Sequence, residues 1–193
     1  DIPLRGSHNV ENVMAAALAA RLIGAEPEEI TQGVRTFAGV EHRLEFVARI
    51  NGVNFFNDSK ATNVDATQKA LEAFSGPLMV ILGGKDKDSD YKVLREPLRR
   101  NTRLALVIGA AAEKITAHLN GAVPVEQAGT MERAVQLAYS FARPGDTVLL
   151  APACASFDQF ENYEHRGRVF KQLIQQLAAQ AESRGTGLSA GKG

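Results

Sequence analysis

Tryptophan is absent from this sequence, cysteine occurs once, and no apolar run approaches the length of a membrane span. One cysteine cannot close an internal disulfide, which fits a reducing compartment. Without a long apolar stretch no segment is expected to cross a bilayer, and the opening DIPLRGSHN lacks the basic and apolar parts of a signal peptide. A cytoplasmic location is the expectation. A charge of one sign is missing too: 22 Lys and Arg face 22 Asp and Glu, so no global field attracts nucleic acid or an anionic membrane. Any bound anion must be held by local geometry. The first residue is Asp rather than Met, so a processed or excised piece is expected. What is present, 193 residues of which 45% are hydrophobic and 23% charged, suffices for one medium domain, or one domain and part of another, around a buried core.

The first part of the chain reads as helical. NVENVMAAALAARLI, Asn9 to Ile23, is rich in Ala, Leu and Met, and Val10, Val13, Met14, Ala17, Leu18 and Leu22 share one face before Gly24. A second helix is expected from Pro27, with two acids in its first turn and Ile30, Val34 and Phe37 on one side. AGVEH, Ala38 to His42, then reads as a link. Beyond it strands alternate with helices. The strand-like runs are Leu44 to Ile50, Val53 to Phe56, Leu78 to Leu82, Leu104 to Ile108, Val123 to Val125 and Thr147 to Leu150. Helices are expected over Val64 to Phe74, Tyr91 to Arg100, Ala111 to Leu119, Met131 to Ala142 and Tyr163 to Ala181. Asn51 and Gly52 signal a hairpin between the first two strands. The pattern implies an α/β fold: a mostly parallel, Rossmann-like sheet with helices on both faces and one antiparallel hairpin strand. The Gly- and Ser-rich end, 183–193, is expected to be a disordered tail.

In such a sheet ligands gather beyond the carboxyl ends of the strands. Three loops there are polar and unusual: NDSKATN after the second strand, GGKDKDSD after the third, and APACASFDQF after the last. In the first, Thr62 followed by Asp65 fits a capping pattern, Lys60 adds a positive charge, and Asp58 could accept from a ribose hydroxyl or orient the lysine. Taken alone, a capped helix with a surface ion pair accounts for it. In the second, adjacent glycines would let a ligand approach the backbone, and Lys85 and Lys87 would supply charge for a carboxylate or phosphate. In the third, Ser156 and Gln159 form an S-x-x-Q box that predicts a further helix amino terminus. Cys154 reads as a small buried residue rather than a nucleophile. Helix amino termini and a lysine on one sheet edge suit an acidic molecule.

Other patterns are decoys. GTGLSAGKG has Thr186 where a phosphate loop needs its first Gly and Gly193 where it needs Ser or Thr. GGKDKD lacks the dinucleotide fingerprint. His8, His42, His118 and His165 show no metal spacing, and no metal ligand is expected in the chain.

HNVEN at His8 to Asn12, EHRLE at Glu41 to Glu45, NDSKATN, LGGKDK at Leu82 to Lys87 and APACASFDQFENYEHRG at Ala151 to Gly167, in this order, resemble the Mur ligase family, which builds the peptide of bacterial cell-wall precursors. The resemblance runs from about Leu4 to Leu177 and points to the members that add D-glutamate to UDP-N-acetylmuramoyl-L-alanine. It implies an ATP-dependent ligation in which the substrate carboxylate is phosphorylated and the amine of D-glutamate attacks the acyl phosphate, with no covalent enzyme intermediate. Mg2+ and cationic donors are needed where negative charge crowds. By the resemblance, Asn9 and Asn12 face the nucleotide base, Arg43 the phosphates and Asp58 the ribose. Lys60, Thr62, Lys87 and Ser156 hold the amino acid, the two lysines as catalytic cations, and Phe157 and Tyr163 shape its pocket. Family members often carry Phe where Tyr163 stands, a departure here.

The resemblance also implies that 1–40 are the last helices of a truncated central ATPase domain and 41–182 a complete carboxy-terminal domain, with AGVEH as hinge. The missing central and amino-terminal domains would hold the triphosphate, most Mg2+ ligands and the UDP-sugar. The isolated chain is then expected to be an inactive monomer, although an apolar face over Leu4 to Phe37, uncovered, could drive self-association. Two other classes stay open from the residues alone: a non-enzymatic module holding an acidic metabolite or partner protein, and a nicotinamide-dependent oxidoreductase, which the absent fingerprint disfavours.

Overall fold

Leu78, Val80 and Leu82 join one buried apolar cluster while Met79 and Ile81 join another, the two-residue alternation of a strand buried on both faces. The computed structural model of the chain describes residues 2–187 and divides into two units, one up to Glu41 and one from His42.

The larger unit has six strands: β1 (Glu45–Ile50), β2 (Val53–Asn57), β3 (Leu78–Gly83), β4 (Thr102–Ile108), β5 (Val125–Gly129) and β6 (Thr147–Leu150). They form one sheet in the order β1-β2-β6-β3-β4-β5, with β1 antiparallel to β2 and every other pair parallel. Asn51 and Gly52 both have positive φ, 49° and 83°, which is the backbone a tight two-residue hairpin requires.

On one face Leu71, Leu94, Leu98, Ile115 and Leu119 cover the sheet; they belong to α3 (Val64–Glu72), a 3-10 turn (Tyr91–Leu94), α4 (Arg95–Asn101) and α5 (Ala112–Leu119). The other face is covered by Met131, Ala134, Val135, Ala138, Phe170 and Ile174 from α6 (Met131–Phe141) and α7 (Tyr163–Gly187). The sequence predicts one helix over Tyr91 to Arg100; Pro97 sits in its middle, and the segment instead divides into the 3-10 turn and α4. The strand expected at Val123 to Val125 lies later, because Pro124 has no N–H for the ladder. α7 runs past Ala181 into the stretch expected to be tail; residues 188–193 of that tail, and with them most of the phosphate-loop decoy, lie outside the described residues.

The smaller unit holds α1 (Ser7–Leu22) and α2 (Pro27–Thr36). α2 opens on Pro27 with a reciprocal cap between Glu26 and Glu29. No residue of either helix is buried, and Met14, Leu18, Leu22 and Ile23 are exposed, so the apolar face forms but is not covered within the unit. Among the described residues no helix is long and apolar enough to cross a membrane.

Candidate functional site

Strand order makes neighbours of the three polar loops. β6 returns between β2 and β3, so the loops after β2, β6 and β3 leave adjacent strands at one carboxyl edge. Backbone hydrogen bonds tie them: Ala153 N donates to Ala61 O at 2.9 Å, Gly83 N to Pro152 O at 2.8 Å, and Lys85 N to Ala155 O at 2.8 Å.

Arg166, on α7, completes the junction. Its guanidinium is wholly buried and donates to the Ser59 hydroxyl (3.0 Å), the Ser59 carbonyl (2.9 Å) and the Cys154 carbonyl (3.1 Å). Burial presses it down to about 10, so it stays protonated at neutral pH. The helix reaches this depth because Gly167 offers no side chain: a Cβ there would meet the His42 imidazole. His42 is itself buried, with Asn57 Nδ2 2.8 Å from its Nδ1.

Lys60 is exposed at this edge. Its ammonium donates to the Tyr163 hydroxyl at 2.7 Å and lies 4.1 Å from the ring centroid. Ser59 Oγ donates to the Tyr163 carbonyl at 2.7 Å, which fixes the start of α7 against the first loop. Thr62 is half-buried beside the amino terminus of α3. The sequence pattern makes Thr62 the cap, but Asn63 takes the position, its Oδ1 accepting from Ala66 N at 2.8 Å.

The expected helix at Ser156 does not form. The Ser156 carbonyl accepts from Phe160 N and Gln159 N in a turn, and the Gln159 amide donates across to Gly129 O at 2.8 Å instead of closing a box. The helix starts at Tyr163, where Asn162 Oδ1 accepts from His165 N. Ser156 is buried and Phe157 is 66% exposed. The glycines of the second loop also serve a different end. A Cβ on Gly84 would collide with the Ala155 carbonyl and crowd Arg166 Nη1, and one on Gly83 would collide with the Ile108 carbonyl of β4, so the close approaches they permit are those of the third loop and the neighbouring strand rather than of a ligand.

Lys87 is exposed on the second loop between two acids. Lys114 Nζ bonds Asp86 at 2.7 Å and Asp88 at 3.3 Å, and Tyr91 donates its hydroxyl to Asp86 at 2.7 Å. Burial pushes the Asp86 carboxyl up, but the hydrogen bonds from Lys114, Tyr91 and Ser89 N–H outweigh it and hold the group well below the usual range. The Tyr91 hydroxyl also meets Cys154 Sγ at 3.0 Å; burial pushes that thiol up to about 11, so at neutral pH it is no nucleophile.

Asp58 is buried and accepts from Leu44 N at 3.3 Å; burial raises its carboxyl to about 6 against that hydrogen bond and the nearby Arg43 charge. Arg43 is exposed. Glu45, two residues on, is bonded to Lys171 and Asn57. In the smaller unit Asn9 is not the cap of α1, which is Gly6; its amide donates to Arg5 O at 2.7 Å, and Asn12 Nδ2 lies 3.4 Å from Asn9 Oδ1.

Sequence reasoning missed Arg166, Ser59, Asn57 and Asp158, whose Oδ2 accepts from Ala110 N at 2.9 Å. The signal for Arg166 was faint: an arginine one residue before a glycine near the start of a helix, three after the tyrosine that opens α7.

Comparison with known proteins matches residues 42–154, more than half of the chain, to the family described as "Mur ligase, glutamate ligase domain". Curated relatives named UDP-N-acetylmuramoylalanine--D-glutamate ligase are 62% identical over 92% of the chain in Solibacter usitatus and 63% identical over 90% in Acidobacterium capsulatum. The chain covers 40% and 38% of those relatives. Among solved structures, a pseudomurein peptide ligase type C from Methanothermus fervidus superposes with a TM-score of 0.70 at 20% identity, covering 92% of this chain and 37% of that one. MurF ligase from Thermotoga maritima, solved with ADP, gives 0.65 at 16% identity over 90% of this chain and 40% of its own. These two show the fold. The chain belongs to the Mur ligase family, carrying its glutamate ligase domain.

Proposed function

We propose that this chain is the amino-acid-binding part of an ATP-dependent ligase that adds D-glutamate to UDP-N-acetylmuramoyl-L-alanine through an acyl phosphate. The relatives' shared name supports the substrates, and one observation carries the site. Lys60 stands at the carboxyl edge where three loops from adjacent strands are tied together, with the Arg166 guanidinium buried among the same loops.

D-glutamate brings two carboxylates and a nucleophilic amine. Lys60 and Lys87 supply compact positive charges for the carboxylates, and the hydroxyls of Thr62 and Ser156 supply oriented donors. Phe157 and the Tyr163 ring wall the site. Cations fixed before reaction also stabilise the oxyanion that forms when the amine attacks, since they need no reorganisation at that moment.

ATP supplies the phosphoryl group that activates the carboxylate. The chain's residues fit part of such a ligand. Arg43 offers an exposed planar fork suited to phosphate oxygens, and Asp58 is anchored through one oxygen by Leu44 N, leaving acceptor capacity for ribose hydroxyls. Asn9 and Asn12 are assigned to the base. The Mg2+ ligands are assigned mainly to the part of the relatives that this chain does not span. A cytoplasmic, monomeric protein goes with this reading.

Titration calorimetry of the chain with D-glutamate, L-glutamate and NADH tests it. D-glutamate should bind more tightly than L-glutamate, and NADH should give no heat. Binding of NADH without D-glutamate would defeat the reading. The chain by itself should release no phosphate from ATP in the presence of both substrates.

A further inference from the structure

Three lysines of the larger unit are held in different ways. Lys114 is matched by two carboxylates, Asp86 and Asp88, and Lys171 by Glu45. Their charges are largely cancelled locally. Lys60 meets a phenol oxygen at 2.7 Å and a ring face at 4.1 Å, both on Tyr163. The phenol itself carries no charge to neutralise the ammonium, and the ring adds attraction of cation–π type; the Glu164 carboxylate feels the Lys60 charge but makes no ion pair with it comparable to those of Lys114 and Lys171. An ammonium has three N–H donors, so one bond to Tyr163 leaves capacity for two further oxygens.

The tyrosine is itself set from several sides. Its carbonyl accepts from Ser59 Oγ, and its ring meets the buried His42 edge-on, with centroids 6.1 Å apart. The neighbouring Glu164 carboxyl lies below its usual range, chiefly through hydrogen bonding to Tyr163 and in part through the Lys60 charge. The Tyr163 hydroxyl oxygen accepts from the Lys60 ammonium.

We propose that Tyr163 is a positioning residue, whose hydroxyl and ring hold the Lys60 ammonium in one orientation at the sheet edge while leaving its charge available to a substrate carboxylate. The carboxylate part of this inference rests on the function proposed above; the positioning of Lys60 does not. A Phe in this place would keep the ring contact and lose the hydroxyl restraint. A lysine held in advance surrenders less side-chain freedom when an anion arrives.

The test uses the full 193-residue chain with Tyr163→Phe and Tyr163→Leu. Site-resolved acylation of Lys60, read by peptide mass spectrometry and normalised to Lys87 in the same sample, reports the restraint on the ammonium. Tyr163→Phe should raise the Lys60 rate about 3- to 10-fold, the range of an ordinary solvent-exposed hydrogen bond, and Tyr163→Leu further, with the melting midpoint of the Phe variant unchanged. Titration with D-glutamate should show weaker binding by Tyr163→Phe than by the unsubstituted chain. Equal Lys60 rates in the unsubstituted and Phe chains would overturn the proposal. A raised Lys60 rate with no D-glutamate binding by any of the chains would uphold the positioning role and count against the substrate.

Discussion

Arg166 grips Ser59 twice, its Nη2 donating to the Ser59 carbonyl at 2.9 Å and its Nε to the Ser59 hydroxyl at 3.0 Å. With Nη1 on the Cys154 carbonyl, one buried side chain spans two loops. Lysine keeps the charge but cannot reproduce the planar fork. Arg166→Lys leaves buried oxygens without donors and should cost on the order of 3 kcal/mol. For a protein of this size that lowers the melting midpoint by roughly 6–12 °C. Scanning calorimetry checks it, and a midpoint within the error of the unsubstituted chain would show that the fork is dispensable.

Asp58 gives a pH dependence of definite sign. Burial raises its folded value from 3.8 to about 6, so ionisation is easier in the unfolded chain. Its contribution to stability is full below about pH 4 and is lost as pH rises through 6, by at most about 3 kcal/mol. Asn at this site cannot ionise but can still accept from Leu44 N. Asp58→Asn should therefore be more stable than the unsubstituted chain at pH 7, with the gap closing toward pH 4. Urea midpoints from pH 4 to 7 measure this directly, and parallel curves would refute the burial cost.

The strands were legible because Val, Ile and Leu alternate between faces, and the hairpin because Asn and Gly tolerate positive φ. The meeting of the loops was not, since it depends on β6 inserting between β2 and β3, a tertiary choice that local pattern does not encode. The cap of α3 was read to within a residue. Thr62 and Asn63 are both capping types, and only the geometry of Asn63 Oδ1 to Ala66 N separates them. The Ser156 box failed because Gln159 found Gly129 on another loop. Arg166 escaped notice because a charged residue in a helix ordinarily signals a solvated face.

Asp86 should act on stability in the opposite sense to Asp58. Burial works against its charge, but Lys114, Tyr91 and Ser89 N–H hold the carboxyl below its usual range. Its contribution is present above the ordinary carboxylate value and is lost as the solution is acidified below it. Asp86→Asn should be less stable at pH 7 by about 1–2 kcal/mol, and the deficit should shrink toward pH 3. Asp86→Ala should in addition speed amide exchange across 86–90, because Asp86 also accepts from Ser89 N. Unchanged exchange there would mean that Lys114 and Asp88 hold the loop without it.

Gly167 offers a case in which helix propensity and packing oppose each other. In an exposed helix, replacing Gly with Ala stabilises by about 1 kcal/mol. Here the added methyl would run into the His42 imidazole, whose Nδ1 is 2.8 Å from Asn57 Nδ2 and whose ring borders Tyr163. His42 is 3% exposed and has little room to retreat, so either the imidazole or the start of α7 must shift. Gly167→Ala should therefore destabilise, by about 1–3 kcal/mol net, despite the better helix former. It should also loosen the Ser59 to Tyr163 contact that places Lys60. Paired denaturation curves and Lys60 acylation rates on the same variant separate the outcomes: a gain in stability would show that the helix term wins and that His42 has somewhere else to go.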